Sequence, residues 1–377
     1  MSITQNVWFT SGWWLNQYGI ECKNPMETSP EEQIEITFRK NKVLFEKFGH
    51  LGLGQEDPEP TYTVPQYDGR IVVASAFGGD WPSWEKESAC YWYDKSDGVL
   101  GSITNATDIA KIKIPDWDNN PLLQETFERF SKDKTTSYFK EAKVSYPWSI
   151  GSFYDYRTDL SHDSIAYISV VDLAPFLYGD TGFFSIIMED EDIAFALLDK
   201  CYEISTSFSE YNLKQFGIDA SNLSWSSIGG DYSCVMSPAL YRKYIKPYDL
   251  RRNMESRNKY INLHSCGASS HLYDVWSEYP DKESILFMQT RGIEGRLAHL
   301  RSCLPHTLIQ LTMHLPQFDF ENVPQCAVER IVRSYANEAG YENLTLCVLV
   351  TNGGENSDRN IETLFRTVGQ INQEMQS

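Results

Sequence analysis

Leu344-Thr345-Leu346-Cys347-Val348-Leu349-Val350 is an almost unbroken apolar run, followed shortly by Gly353-Gly354. A strand buried on one face alternates apolar and polar residues. One that is apolar throughout belongs in a parallel sheet covered on both sides by helices. Helical spacing brackets this run: Val328, Ile331, Val332 and Tyr335 precede it with a stop at Gly340, and Ile361, Leu364, Phe365, Val368 and Ile371 follow it. Strand and helix therefore alternate, as in an α/β protein.

The same alternation extends backward. Thr307–Thr312, Ile285–Gln289 and Tyr260–His264 read as strands, with residues 295–304 between the first two and a helix through Trp276 after the third. Ser237-Pro238 opens a helix expected to stop before Pro247, because proline lacks the N–H that a helix interior needs. Asp192–Phe216 has helical spacing, and Ile165–Val171 is a β-branched run that reads as a further strand. Near the start, Ser29-Pro30-Glu31-Glu32 caps a helix expected over Pro30–Phe48, with Gly49 as its stop. Residues 50–120 read as short strands such as Arg70–Ser75, punctuated by glycines and crowded with aromatics. The pattern predicts a single domain over residues 1–377 with a (β/α)8 TIM-type barrel. Residues 1–140 form an N-terminal helix and aromatic-rich elaboration, and residues 145–377 the main β/α repeat.

Composition narrows the function. Formal net charge is −19 over 377 residues, which argues against a nucleic-acid partner, since phosphates demand a basic face. No basic segment leads into an apolar core at the N-terminus, and no apolar run is long enough to span a bilayer, so neither a signal peptide nor a membrane partner is expected. The eight cysteines are scattered rather than dense, which fits reduced thiols and a cytoplasmic location.

His264-Ser265-Cys266-Gly267 closes the strand that starts at Tyr260. Alternate residues of a strand point the same way, so His264 and Cys266 face together. Cys347 brings a second thiol from a distant strand. One imidazole and two thiolates suit zinc with a fourth position open. Cysteines are also among the most buried residues without any metal, and a purely structural role stays open on these residues alone.

Gly230-Asp231-Tyr232, Met236-Ser237-Pro238, Ile245-Lys246-Pro247-Tyr248 and His264-Ser265-Cys266-Gly267, in that order, resemble the uroporphyrinogen decarboxylase superfamily. The match runs through roughly residues 145–377. The resemblance implies a distorted (β/α)8 barrel. Within the superfamily, decarboxylases meet the porphyrinogen carboxylates with an early arginine-rich segment, and this chain has no arginine before Arg39. The resemblance then points to the zinc-dependent corrinoid (cobalamin)-linked methyltransferases, whose His-x-Cys and distant Cys match His264, Cys266 and Cys347. Two reactions follow from it. One moves a methyl group from a small organic methyl donor, such as an aryl methyl ether, to the Co(I) corrinoid of a partner protein. The other moves methyl from a methylated corrinoid to a thiol of the coenzyme M type. Uroporphyrinogen decarboxylation and a non-catalytic barrel remain as alternatives.

Asp231 is the leading candidate for a fourth ligand or a catalytic group, against a turn-capping role, and Glu355 is the reserve, against that of a helix-start acid. Trp81, Trp84 and Trp92 are candidates for a substrate wall, against packing of the elaboration on the barrel. The remaining cysteines, Cys303 among them, are read as structural, with Cys234 worth watching for its nearness to Asp231.

Overall fold

A computed structural model describes residues 3–85, 90–92, 98–145, 168–219, 225–256, 260–265, 267–279, 285–291, 296–313 and 320–377. Its centre is a parallel sheet of six strands: β1 (Thr4–Phe9), β2 (Trp225–Gly229), β3 (Tyr260–His264), β4 (Ile285–Arg291), β5 (Leu308–Thr312) and β6 (Leu344–Val350). Their order across the sheet is β1-β6-β5-β4-β3-β2. The helices that matter below are α1 (Ser11–Tyr18), α2 (Pro30–Phe48), α3 (Gly69–Ser75), α4 (Val170–Tyr178), α5 (Glu191–Phe216), α6 (Lys246–Ser256), α7 (Tyr273–Trp276), α8 (Leu297–Cys303), α9 (Gln325–Ala339) and α10 (Glu355–Glu374).

The α/β class is as expected, and β3, β6 and α2 have the bounds expected of them. Ser29 caps α2 by accepting from the Glu32 N–H, and Pro30 occupies its first turn. Among the described residues the sheet does not close into a complete eight-stranded barrel.

Helix stands in place of one expected strand and at the end of another. Arg70–Ser75 lies in α3, whose cap Asp68 accepts from the Arg70 N–H. The run expected over Ile165–Val171 gives way to α4 from Val170, with Ser169 accepting from the Val171 N–H; residues 165–167 lie outside the described residues. Both segments are buried nearly all round, so neither period stands out and the cap decides. Ser169-Val170-Val171-Asp172 even has the spacing of a capping box.

A third correction concerns Pro247. The helix that opens at Pro238 does not stop there. It passes through a π-helical turn at Tyr241–Ile245 and continues as α6. A wider turn relieves the clash that proline creates with the preceding carbonyl.

Register sorts the two faces of the sheet. Thr4 pairs with Thr345, Asn6 with Cys347, Thr345 with Gln310 and Cys347 with Thr312. Through β4, Gln310 is in register with His264. Paired residues of parallel strands share a face, so Thr4, Asn6, His264, Gln310, Thr312, Thr345 and Cys347 lie on one side. The other side carries Val7, Ile261, Leu263, Ile309, Leu311, Leu346, Val348 and Val350, all buried. One face is thus polar and buried, and the other is the apolar seat for the helices. A continuous core of buried side chains extends from Ile3 to Ile371.

Leu346 is fully buried on the apolar face. Leu346→Ala should destabilise the protein by about 2–5 kcal/mol, read by urea unfolding. A change within about 0.5 kcal/mol would mean that this face is not the packed one.

Candidate metal centre

The end of β3 is gripped by the end of β2. Gly230 donates its N–H to the His264 carbonyl at 3.0 Å. Gly229 stands at φ 76°, and a Cβ there would come within 2.4 Å of the same oxygen. Only glycine permits both the left-handed backbone and the close approach. Gly230 has its own reason to be small: a Cβ there would lie 2.4 Å from the Asp172 carboxylate.

This grip delivers Asp231 to the imidazole. Asp231 Oδ1 lies 3.0 Å from His264 Nε2, and its other oxygen is 4.0 Å from Arg70 Nη1. Arg70 comes from α3, is held from behind by Asp68 at 3.2 Å, and lies over the Phe176 ring. Asp172, in the first turn of α4, accepts from the Tyr232 N–H at 3.1 Å. Tyr232 in turn donates its hydroxyl to Asp180. Three carboxylates thus surround one guanidinium and one imidazole.

Their charges do not balance, and Asp172 responds. Burial, followed by the nearby Asp231 carboxylate, pushes its pKa up to about 7, while Arg70 works in the opposite direction. A second buried carboxylate steadies the scaffold. Asp249 of α6 accepts from the hydroxyls of Tyr241 and Tyr279, each at 2.7 Å, and from the backbone N–H of Gly229. Burial pushes it up to about 6.

The expected ligands fall as follows. His264 is mostly buried, at the end of β3. Cys347 is fully buried on β6, on the same face as His264 and two residues further toward the strand ends than the row His264 occupies. Cys266 lies outside the described residues. Asp231 stands beside His264, within hydrogen-bonding distance of its ring. The excess of negative charge and the polar strand face both fit a cation.

Glu355 is exposed in the first turn of α10 and pairs with Arg359, the environment of a helix-start acid. His271 is hydrogen-bonded to the Met236 carbonyl at 2.8 Å. Cys234 donates to the Asp231 carbonyl at 3.1 Å, and a Cβ on Gly267 would come within 2.1 Å of its sulfur. The aromatics lean on one another: Trp81 is exposed beside Tyr67, and Trp84 meets Tyr91 edge to face at 5.1 Å. Trp92 ends the short strand Cys90–Trp92, and its side chain lies outside the described residues.

Asp68, Arg70 and Asp172 are the site residues that sequence reading missed. The cap patterns before α3 and α4 were the available signal. Cys303, read from the sequence as structural, sits beside His299 and Asp274.

The chain shares its overall fold with a solved structure. A methyltransferase from Methanosarcina mazei superposes with a TM-score of 0.55 at 13% identity, covering 98% of this chain and 94% of that one. No protein-family model matches the sequence, and no curated protein matches it. Among the described residues no single helix is long and apolar enough to cross a membrane.

Asp172 also predicts a pH dependence. Its folded pKa stands above the ordinary carboxylate value near 4. Between about pH 4 and pH 7 the folded protein therefore keeps a proton that the unfolded chain has lost. Stability from this group falls as pH rises through that window, by up to about 4 kcal/mol, and the loss is complete above it. In metal-free protein, Asp172→Asn should gain on the parent steadily across this range in urea titrations. Parallel curves would remove the assignment.

Proposed function

We propose that this chain is a zinc-dependent methyltransferase acting with a corrinoid-binding partner protein. It would move the methyl group of a small organic donor, such as an aryl methyl ether, to the partner's Co(I) corrinoid. The observation that carries this reading is the imidazole of His264 held by Asp231 on the same buried sheet face as Cys347. The fold shared with the Methanosarcina mazei methyltransferase supports it, as does the resemblance of the His264–Gly267 motif. In this reading the six-stranded sheet is the larger part of a distorted (β/α)8 barrel.

His264, Cys266 and Cys347 would hold the zinc, whose open position supplies a Lewis acid to the donor oxygen. The chain's own groups prepare that position. Asp231 accepts from Nε2 of His264, which leaves Nδ1 with its lone pair for the metal and fixes the ring plane. Arg70 lies 4.0 Å from Asp231, and Asp172, its pKa pushed up to about 7, can release or keep a proton near neutrality, so the cluster would take up a dication without a large surplus of charge. The partner's corrinoid would supply the nucleophile for the methyl carbon, and the carbon–oxygen bonding pair would stay with the departing oxygen. Stabilising charge on that oxygen counts more in the transition state than in the bound donor.

Two measurements test the reading. Tightly held zinc should fall steeply in Cys266→Ser and Cys347→Ser and persist in Cys326→Ser, whose thiol is exposed at the start of α9. Asp231→Ala should keep the fold and weaken zinc binding or turnover by about 10–100-fold. Equal loading in all these variants would remove the centre.

The reaction is read separately, by mixing enzyme, reduced corrinoid protein and candidate donors and following loss of the Co(I) absorption. If no donor gives that loss, while methylcobalamin and a thiol give a thioether, the thiol is the acceptor. If zinc-loaded protein does neither with a cognate partner, the methyltransferase reading fails.

A further inference from the structure

His299 and Cys303 stand one turn apart on α8, and Asp274 lies beside them in the first turn of α7. Residues at this helical spacing present their side chains on one face. His299 Nε2 lies 2.8 Å from Asp274 Oδ1, and the Cys303 sulfur is 3.7 Å from each of those atoms. Sulfur, nitrogen and oxygen ligands of a tetrahedral zinc-type ion, at ordinary bond lengths, stand about 3.3–3.6 Å apart. The thiol is therefore already at ligand spacing. The carboxylate and imidazole, now hydrogen-bonded, need to part by only about half an ångström.

Exposure supports the same conclusion. Asp274 and His299 reach solvent, while Cys303 is half-buried. An ion can enter freely and keep water on its remaining position. Among the described residues this is the one group of such side chains whose ligand atoms all lie within 4.8 Å of one another. One sulfur, one nitrogen and one oxygen favour a borderline ion such as Zn²⁺, Co²⁺ or Ni²⁺ over Mg²⁺ or Ca²⁺.

We propose that Asp274, His299 and Cys303 form a second, solvent-facing site for a divalent transition-metal ion, separate from the centre at His264. The helix carrying Asp274 begins a few residues after Gly267. A bound ion would tie that helix to α8 and stiffen the segment leaving the first centre. Burial and the Asp274 carboxylate raise the Cys303 thiol, so the ion would displace a proton as it binds.

The test uses the full chain, stripped of metal, with Co²⁺ as a spectroscopic probe. In Cys347→Ser, Co²⁺ should still bind at one equivalent and give a thiolate-to-cobalt absorption in the near ultraviolet. Adding Cys303→Ser should abolish both, and His299→Ala should do the same while circular dichroism is unchanged. Zinc should raise the melting temperature of Cys347→Ser by roughly 2–4 °C and leave the Cys347→Ser/Cys303→Ser protein unmoved. Should Cys347→Ser fail to fold, the parent and Cys303→Ser should differ by one equivalent of Co²⁺. Unchanged stoichiometry and melting on loss of Cys303 would overturn the site and leave only a hydrogen-bonded His–Asp pair. The first centre is judged independently: if the parent binds one equivalent that Cys303→Ser removes and Cys347→Ser leaves, this inference stands and the His264 centre falls.

Discussion

The site depends on a close backbone contact between two strand ends. The His264 carbonyl receives the Gly230 N–H, and Gly229 passes too near that oxygen for any side chain. Because the two backbones touch there, the next residue, Asp231, is delivered to the imidazole. The contact is braced from outside by Asp249, which takes the Gly229 N–H and two tyrosine hydroxyls in the core. A side chain ordered through packed backbone in this way has already lost its conformational freedom in folding.

Charge is the second constraint. Asp68, Asp172 and Asp231 gather around Arg70 and His264, more negative charge than the two basic groups offset. A buried excess of this kind is resolved by proton uptake or by a cation. Asp172 takes the first route, as its raised pKa shows. The polar face of the sheet fits the second, since a sheet that only needed packing would bury apolar side chains there as it does on the opposite face. Gln310 makes the point most clearly: it is fully buried in the row of His264, and neither end of its amide has a hydrogen-bond partner among the described residues.

Most of the second half of the fold was legible. Leu344–Val350 and Tyr260–His264 stand where apolar runs and punctuation place them, and α9 ends at Gly340 as its spacing implies. What misled was local. Residues 71–74 and 170–171 are apolar throughout, and a buried helix and a buried strand leave the same signature. Only the caps Asp68 and Ser169 distinguish them. At Pro247 a single-residue rule yielded to a π-turn, a device that local sequence does not announce.

The sequence alone determined which residue types are on offer, because motif spacing and strand alternation are local properties: His264 and Cys266 stand two apart in the sequence, and Cys347 sits in a strand buried on both sides. Which groups meet was decided by the tertiary structure. Asp68, Arg70 and Asp172 lie on helices far from His264 along the chain, and they converge only because α3 and α4 pack around the end of β2. Likewise His299 and Cys303 form a pair by helical spacing, but Asp274 joins them only through the packing of α7 on α8. Spacing along a chain sets direction; distance across a fold is set by how buried faces fit together.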